Sequence, residues 1–292
     1  EIIGNVNNIL QYAPDLKEKY PGNAAEIELI RAQALYIRAL VHLNLCCCYG
    51  QHYTYTPDAS HWGVPNLSIL PSANDPVLRA SVYDVYNKRI IPDLEEAIGI
   101  FGSTTMDCYH ASATACEALL ARVYLYMEQW QKASDYATTV IAKVPLTSYE
   151  NYVNMYVNIE TGSEAIFRLN GFRASKDLWK FYDPVSPIAR PADTLYTFFD
   201  QPDDIRLELL YATKDEVKTK ACRKFYVAKD VVEDDKHYDP FVSRVSEMYL
   251  IRAEANCYLP GGETTAANDI KALQARALRK QPSEINLVYS SV

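Results

Sequence analysis

Apolar residues return in steps of three and four from Ile27 through Ile30, Ala34, Ile37, Val41 and Leu45 to Cys48, in a stretch free of glycine and proline. That period predicts one long helix over residues 25–48. Leu29, Leu35, Leu40 and Leu43 fall beside the stripe and widen it, so the helix should be packed on more than one side. Tyr20-Pro21-Gly22-Asn23 breaks the chain before it, and Gly50 is placed to stop it past the last turn.

The same period recurs further on. Residues 114–129 open with Thr114 and Glu117 in the spacing of a capping box, and "QKASDYATTVIAKV" follows almost without a linker and ends at Pro145. The two should fold back on each other as an antiparallel pair. "SRVSEMYLIRAEANCYL" ends at Pro260-Gly261-Gly262 and is followed by "TTAANDIKALQARALRK", which predicts a second hairpin. Residues 81–101 start with Ser81 and Asp84 in capping spacing and carry Pro92 as a kink or interruption.

Aligning "LYIRALVHL", "LLARVYLYM" and "YLIRAEANC" superposes Arg38, Arg122 and Arg252. Repeated hairpins expose apolar faces that neighbouring hairpins cover, so the expected architecture is a mainly α stack of helical hairpins. The stretch Ala118 to Pro145 resembles a tetratricopeptide repeat, with Ala121, Tyr124, Trp130, Ala133 and Pro145 at its small, aromatic and terminating positions. Unequal spacing of the copies means that insertions interrupt the array. Residues 51–80 and 146–240 read as long, proline-bearing loops, with minor β-structure expected at "EAIFRLNGF" and "ACRKFYVAKDV".

Charge narrows the function classes. Lys+Arg number 29 against 37 Asp+Glu, a net charge of −8, which argues against a nucleic-acid surface. No run reaches the roughly 18 apolar residues of a membrane span, and residues 1–20 lack the order of a secretory signal. The compositional oddity is 23 Tyr beside 8 Phe and 3 Trp. Tyrosine couples a flat apolar face to a hydroxyl, which serves helix packing and equally the gripping of sugars or peptides.

The ordered set "RAQALYIRALVHLNLCCCYG", "SVYDVYNKRIIPDLEEAI", "ACEALLARVYLYMEQWQKASDYATTVI", "DDIRLELLY", "FVSRVSEMYLIRAEANCYL" and "IKALQARA" resembles the SusD/RagB-like nutrient-binding lipoproteins of the Bacteroidetes outer membrane. The resemblance implies one domain over 1–292. Its helical scaffold would occupy about 6–50, 81–145 and 243–280, with loop-rich insertions at about 51–80 and 146–240. It further implies non-catalytic capture of glycan at the cell surface, and delivery to a SusC-like TonB-dependent transporter. No cofactor is implied, and membrane attachment would come only through a lipid anchor outside this chain. The lipidated cysteine and the closing "ERR-EL-EG-R" helix typical of the family are not found, and the tail reads "KQPSEINLVYSSV", so the chain is expected to be shorter than the family at both ends.

Candidate chemistry follows from these elements. Cys46, Cys47 and Cys48 lie about 100° apart around one helix and cannot face a single metal ion, so they read as packing residues. The seven cysteines include no C-x-x-C, and Cys108-x-His110-x5-Cys116 lacks a fourth ligand. His42 belongs inside the first long helix. Tyr53, Tyr55, His61 and Trp62 fall in "QHYTYTPDASHW", directly after a core helix, where rings can stack on sugar faces while His52, His61 or Asp58 takes hydroxyls. Trp179 and Tyr182, in "GFRASKDLWKFYDP" with Phe181, Arg173, Lys176, Lys180 and Asp183, follow the same logic. Asp203-Asp204 and Glu233-Asp234-Asp235 supply carboxylates, but adjacent acids do not make the opposed pair of a glycoside hydrolase. No G-x-S-x-G, phosphate-cradling loop or H-E-x-x-H occurs. A helical-repeat adaptor for a protein or peptide stays open as the alternative to glycan binding, with a hydrolase behind both.

Overall fold

The computed structural model describes residues 1–69, 74, 76–157, 164–171, 181–182, 187–199, 202–214, 217–225 and 239–287. It is mainly α. Helices α1 (Ile2–Lys19), α2 (Ala24–Tyr49), α3 (Ile91–Phe101), α4 (Ala113–Tyr126), α5 (Trp130–Lys143), α6 (Val245–Cys257) and α7 (Glu263–Ala277) pack in chain order, each on the next. No helix among the described residues is long and apolar enough to cross a membrane.

Alternating direction follows from short connections and from paired contacts. Arg38 and Arg31 of α2 reach Asp93 and Glu96 of α3, so these two helices run oppositely. Ser134 and Thr138 of α5 meet Asn256 and Arg252 of α6 in the same reversed order. One edge of the stack therefore collects the C-terminal ends of α2, α4 and α6 and the N-terminal ends of α5 and α7.

Each repeated arginine has a carboxylate partner on another helix. Arg38 grips Asp93 through two 2.7 Å bonds, Arg122 grips Glu247 at 2.6 and 2.7 Å, and Arg252 grips Asp269 at 2.8 and 2.6 Å. The planar guanidinium matches a carboxylate with two parallel bonds, which fixes the angle at which the helices meet. Around these pairs Leu35, Tyr36, Leu94, Leu119, Leu120 and Met248 are almost wholly buried, and Ala32, Ala39, Ala118, Ala121 and Ala133 let backbones approach closely.

Several local expectations need correction. The buried centre of α2 is Ala32, Leu35, Tyr36, Ala39, Leu43 and Cys46, whereas Ile30 and Cys48 of the large-residue stripe are exposed. Small residues mark the tight contact, and they carry little weight in an apolar count. The cap of α4 is Ser112, whose hydroxyl accepts the Ala115 N–H; Thr114 lies inside the helix and Glu117 pairs with Lys143. Gly50 ends α2 in extended backbone at φ −102°, and its need for glycine is steric: a Cβ would stand 2.9 Å from the Cys46 carbonyl oxygen. Ser81 does cap the next helix, accepting from Asp84 N. A turn Val82–Val85 then widens into a π-turn, Tyr86–Ile90, immediately before Pro92, which has no N–H to donate.

The long insertion leaves the stack after α5 and returns at α6. Strand β1 (Ala165–Arg168) pairs antiparallel with β4 (Phe241–Arg244), and β2 (Tyr211–Lys214) with β3 (Val217–Lys220). The strand expected in "ACRKFYVAKDV" is a helical turn at Arg223–Phe225, with residues 226–231 outside the described residues, and β2, β3 and β4 were not foreseen. A second apolar cluster of Tyr152, Met155, Tyr156, Val157, Ile205 and Leu209 holds the insertion together. Glu164, fully buried, accepts from Arg244, Arg276 and Ser246 at 2.9, 2.6 and 2.7 Å.

Candidate functional site

The loop after α2 is the best-built surface feature. Tyr53–Tyr55 make one tight turn capped by His52, and Ala59 sits in the left-handed region at φ 52° with its side chain buried. A non-glycine residue holds that backbone only where surroundings fix it. Here they do: Val82 N donates to His61 O, Tyr83 N to Ala59 O and Gly63 N to Ala80 O. A Cβ on Gly63 would lie 3.0 Å from Val82 N, so glycine permits this close backbone approach.

Arg79 completes the fastening. Its Nε donates to Gly63 O at 2.6 Å, and its Nη2 donates to Tyr49 O at 2.8 Å and Trp62 O at 3.2 Å. Nothing in the sequence singles it out, because a guanidinium that binds carbonyl oxygens needs no partner of a particular residue type.

The held backbone presents open rings. Trp62 is 68% exposed, Tyr55 65% and Tyr49 70%, against a core of nearly inaccessible apolar side chains. Tyr55 meets the His61 ring edge-on at 5.4 Å. Both nitrogens of His61 are engaged within the loop, Nδ1 with the Thr56 hydroxyl at 2.8 Å and Nε2 with Gln51 O at 3.4 Å. Tyr53 is half-buried against Tyr86, its hydroxyl accepting from Asn87. Asp58 accepts from Ser60, and those hydrogen bonds hold its carboxyl below the usual range. The loop thus brings Tyr53, Tyr55, His61 and Trp62 together, with Tyr55 and Trp62 outward and the other two as support. A recess of about 270 Å³ lined by Cys47, Gln51, His52, Tyr86 and Tyr126 opens beside it.

The second predicted cluster is different. Trp179 lies outside the described residues, as do Arg173, Lys176, Lys180 and Asp183. Tyr182 is half-buried with its ring 4.5 Å from Phe225. No described contact joins it to the 51–69 loop.

Other candidates resolve structurally. Cys46 is buried and burial pushes its thiol up to about 12, whereas Cys47 and Cys48 are exposed, so the packing reading holds for the first alone. His110 pairs with Asp107 at 2.7 Å and Cys116 is buried in the core. Among the described residues no group of three or more His, Cys, Asp or Glu is placed to hold a metal ion. Asp204 is buried under Arg206, which donates to it at 2.6 Å, and so it is not free as an acid. His42 is buried with Nδ1 2.8 Å from Arg38 O and Nε2 without a partner.

An irregular stack of tetratricopeptide-like hairpins, with a fastened aromatic loop on its rim, defines the class. Residues 1–125 match the SusD-like family model described as starch-binding associating with outer membrane. The chain is thus SusD-like in sequence over that segment, and its fold is that of SusD superfamily structures over nearly its whole length. One such structure, a SusD superfamily protein from Bacteroides thetaiotaomicron, is 23% identical with a TM-score of 0.75 over 96% of this chain. A SusD-like carbohydrate binding protein from Bacteroides vulgatus is 24% identical with a TM-score of 0.76 over 98%, and a laminarin binding SusD-like protein 20% identical with 0.66 over 91%. The chain spans 67%, 61% and 67% of their respective lengths. No curated protein matches its sequence significantly.

Proposed function

We propose that this chain binds glycan without catalysis, at the rim formed by Tyr55 and Trp62, and delivers it to a TonB-dependent outer-membrane transporter. The observation that carries the reading is the contrast at Trp62. Its backbone is fixed by Arg79 and by pairing with Ser81, while its ring stays 68% exposed. A solvent-facing ring on a fixed backbone leaves less of the loop to order when a sugar's C–H face is laid on it. Support also comes from the family description and from neighbours named for carbohydrate and laminarin binding. Tyr53 and His61 belong to the same proposal as supporting residues of the rim, and Trp179 and Tyr182 as a separate candidate contact for the glycan. A place at the cell surface, held by a lipid anchor, goes with it.

Isothermal titration with maltoheptaose, with a laminarin oligosaccharide and with a panel of other soluble polysaccharides tests it. Binding of at least one saccharide is expected, with affinity about fivefold weaker in Trp62→Ala, the worth of one stacked ring at about 1 kcal/mol. A protein that binds none of them, or a Trp62→Ala variant with undiminished affinity, refutes the assignment. Capture of a peptide in their place would favour the adaptor reading.

A further inference from the structure

We propose that the ligand is an extended chain and that Tyr258, laid flat on Trp130, forms a second stacking platform for it on the same rim as Trp62. The inference rests on the glycan reading above.

Trp130 opens α5 and Tyr258 caps the end of α6. Because α5 and α6 run oppositely, these two positions meet at the edge of the stack that also carries the end of α2 and the aromatic loop. The rings lie 4.2 Å apart between centroids with planes only 11° from parallel. Trp130 is half-buried against the core, and Tyr258 is 56% exposed. One face of the tyrosine is therefore spent on Trp130, and its opposite face looks outward. Core packing accounts for Trp130 but not for a second large ring kept in solvent on top of it. A flat ring braced from behind is the form that stacks on the apolar face of a pyranose.

The loop and this platform are joined. The Thr54 hydroxyl donates to Glu128 Oε1 at 3.0 Å across 74 residues of sequence, and Glu128 occupies the α4–α5 turn two residues before Trp130. The recess lined by His52 and Tyr126 opens at this junction. The loop that carries Tyr55 and Trp62 is thus tied, through Thr54 and Glu128, to the turn that carries Trp130 and its Tyr258. Aromatic faces on the two segments flank a hydroxyl and a carboxylate, as a string of sugars presents rings and hydroxyls in turn. One sugar covers one ring, so engaging both platforms takes several linked units, the second contact being made at high effective concentration.

Titration of tri- and heptasaccharides from the α-1,4- and β-1,3-glucan series tests this. For the wild-type chain, heptasaccharide affinity should exceed trisaccharide affinity at least tenfold. Tyr258→Ala should lower that ratio about fivefold, with Tyr258→Phe restoring it, and far-UV circular dichroism should match wild type, since the residue is exposed. Trp62→Ala should weaken both lengths. A Tyr258→Ala variant with the wild-type ratio, alongside a Trp62→Ala variant that weakens both lengths, overturns the second platform and leaves the Trp62 site standing. Failure of the wild-type chain to bind either length in either series overturns the second platform, and failure to bind any member of the wider panel as well overturns the Trp62 site.

Discussion

Removing Asp93 should cost more stability than removing Arg38, although the two form a single ion pair. Their side chains are 6% and 8% exposed, and two 2.7 Å bonds join them. Asp93 also faces Arg89, whose Nη1 is 3.9 Å away. Asp93→Leu therefore leaves two guanidinium groups near each other out of water without a carboxylate, with the Asn7 amide oxygen, 3.1 Å from Arg38 Nη1, left to Arg38 and the Asn66 amide oxygen, 2.7 Å from Arg89 Nε, left to Arg89. Arg38→Met leaves one carboxylate that still has Arg89 near it. Breaking a buried pair costs about 3–5 kcal/mol, so Asp93→Leu belongs near about 5 and Arg38→Met near about 3. The direction on Arg89 agrees: burial and Arg38 lower its pKa, and Asp93 opposes them. The double replacement Arg38→Met/Asp93→Leu, apolar on both sides, should lie within about 2 kcal/mol of wild type, giving a coupling of several kcal/mol. Urea unfolding followed at 222 nm measures all four proteins. The reasoning fails if Arg38→Met is the more damaging single change, or if the two losses simply add.

Two further outcomes follow from the structure. Arg79→Met removes three bonds to the carbonyls of Tyr49, Trp62 and Gly63. The loop should loosen while the helices stay intact, so saccharide affinity should fall about tenfold with far-UV circular dichroism unchanged, and limited proteolysis should cut within residues 51–69. Burial lowers the pKa of His42 from its ordinary 6.5, with Arg89 and Arg38 adding to the effect and the Arg38 carbonyl and Asp93 opposing it. Below about 6.5 the unfolded chain takes up a proton that native His42 resists, so stability should fall with pH at up to about 1.4 kcal/mol per unit, and His42→Leu should flatten that slope in urea titrations from pH 7.5 to 5.

Helices were legible where glycine and proline punctuate the chain: α2, α5, α6 and α7 fall within a few residues of the expected bounds. Their faces were less so. The counted stripe on α2 followed bulky residues, and the tight contact runs along Ala32, Ala39 and Cys46, which an apolar count ranks low. Thr114 looked like a cap because its spacing to Glu117 is right, but Ser112 two residues earlier has the extended backbone that capping needs. Strand β4 did not announce itself, because its partner β1 lies across the long insertion, while β2 and β3 form a local hairpin whose short strands carry little apolar alternation. At the site, the aromatic loop was readable as rings next to a rigid helix. Its fastening was not, since Arg79 and Gly63 act through main-chain geometry that the sequence does not display. Trp130 was read as a packing position, which it is, while Tyr258 gained meaning only when two helix ends met in space.

The buried carboxylate of Glu164 has a consequence for how such proteins diversify. It is bonded to Thr147 where the chain departs from the helices, to Arg244 and Ser246 where it comes back, and to Arg276 on the closing helix. The whole excursion is cinched at its neck. Whatever length or composition lies above that knot, the helices beneath receive the chain at the same two points, so lineages can rewrite the excursion without disturbing the frame that carries it.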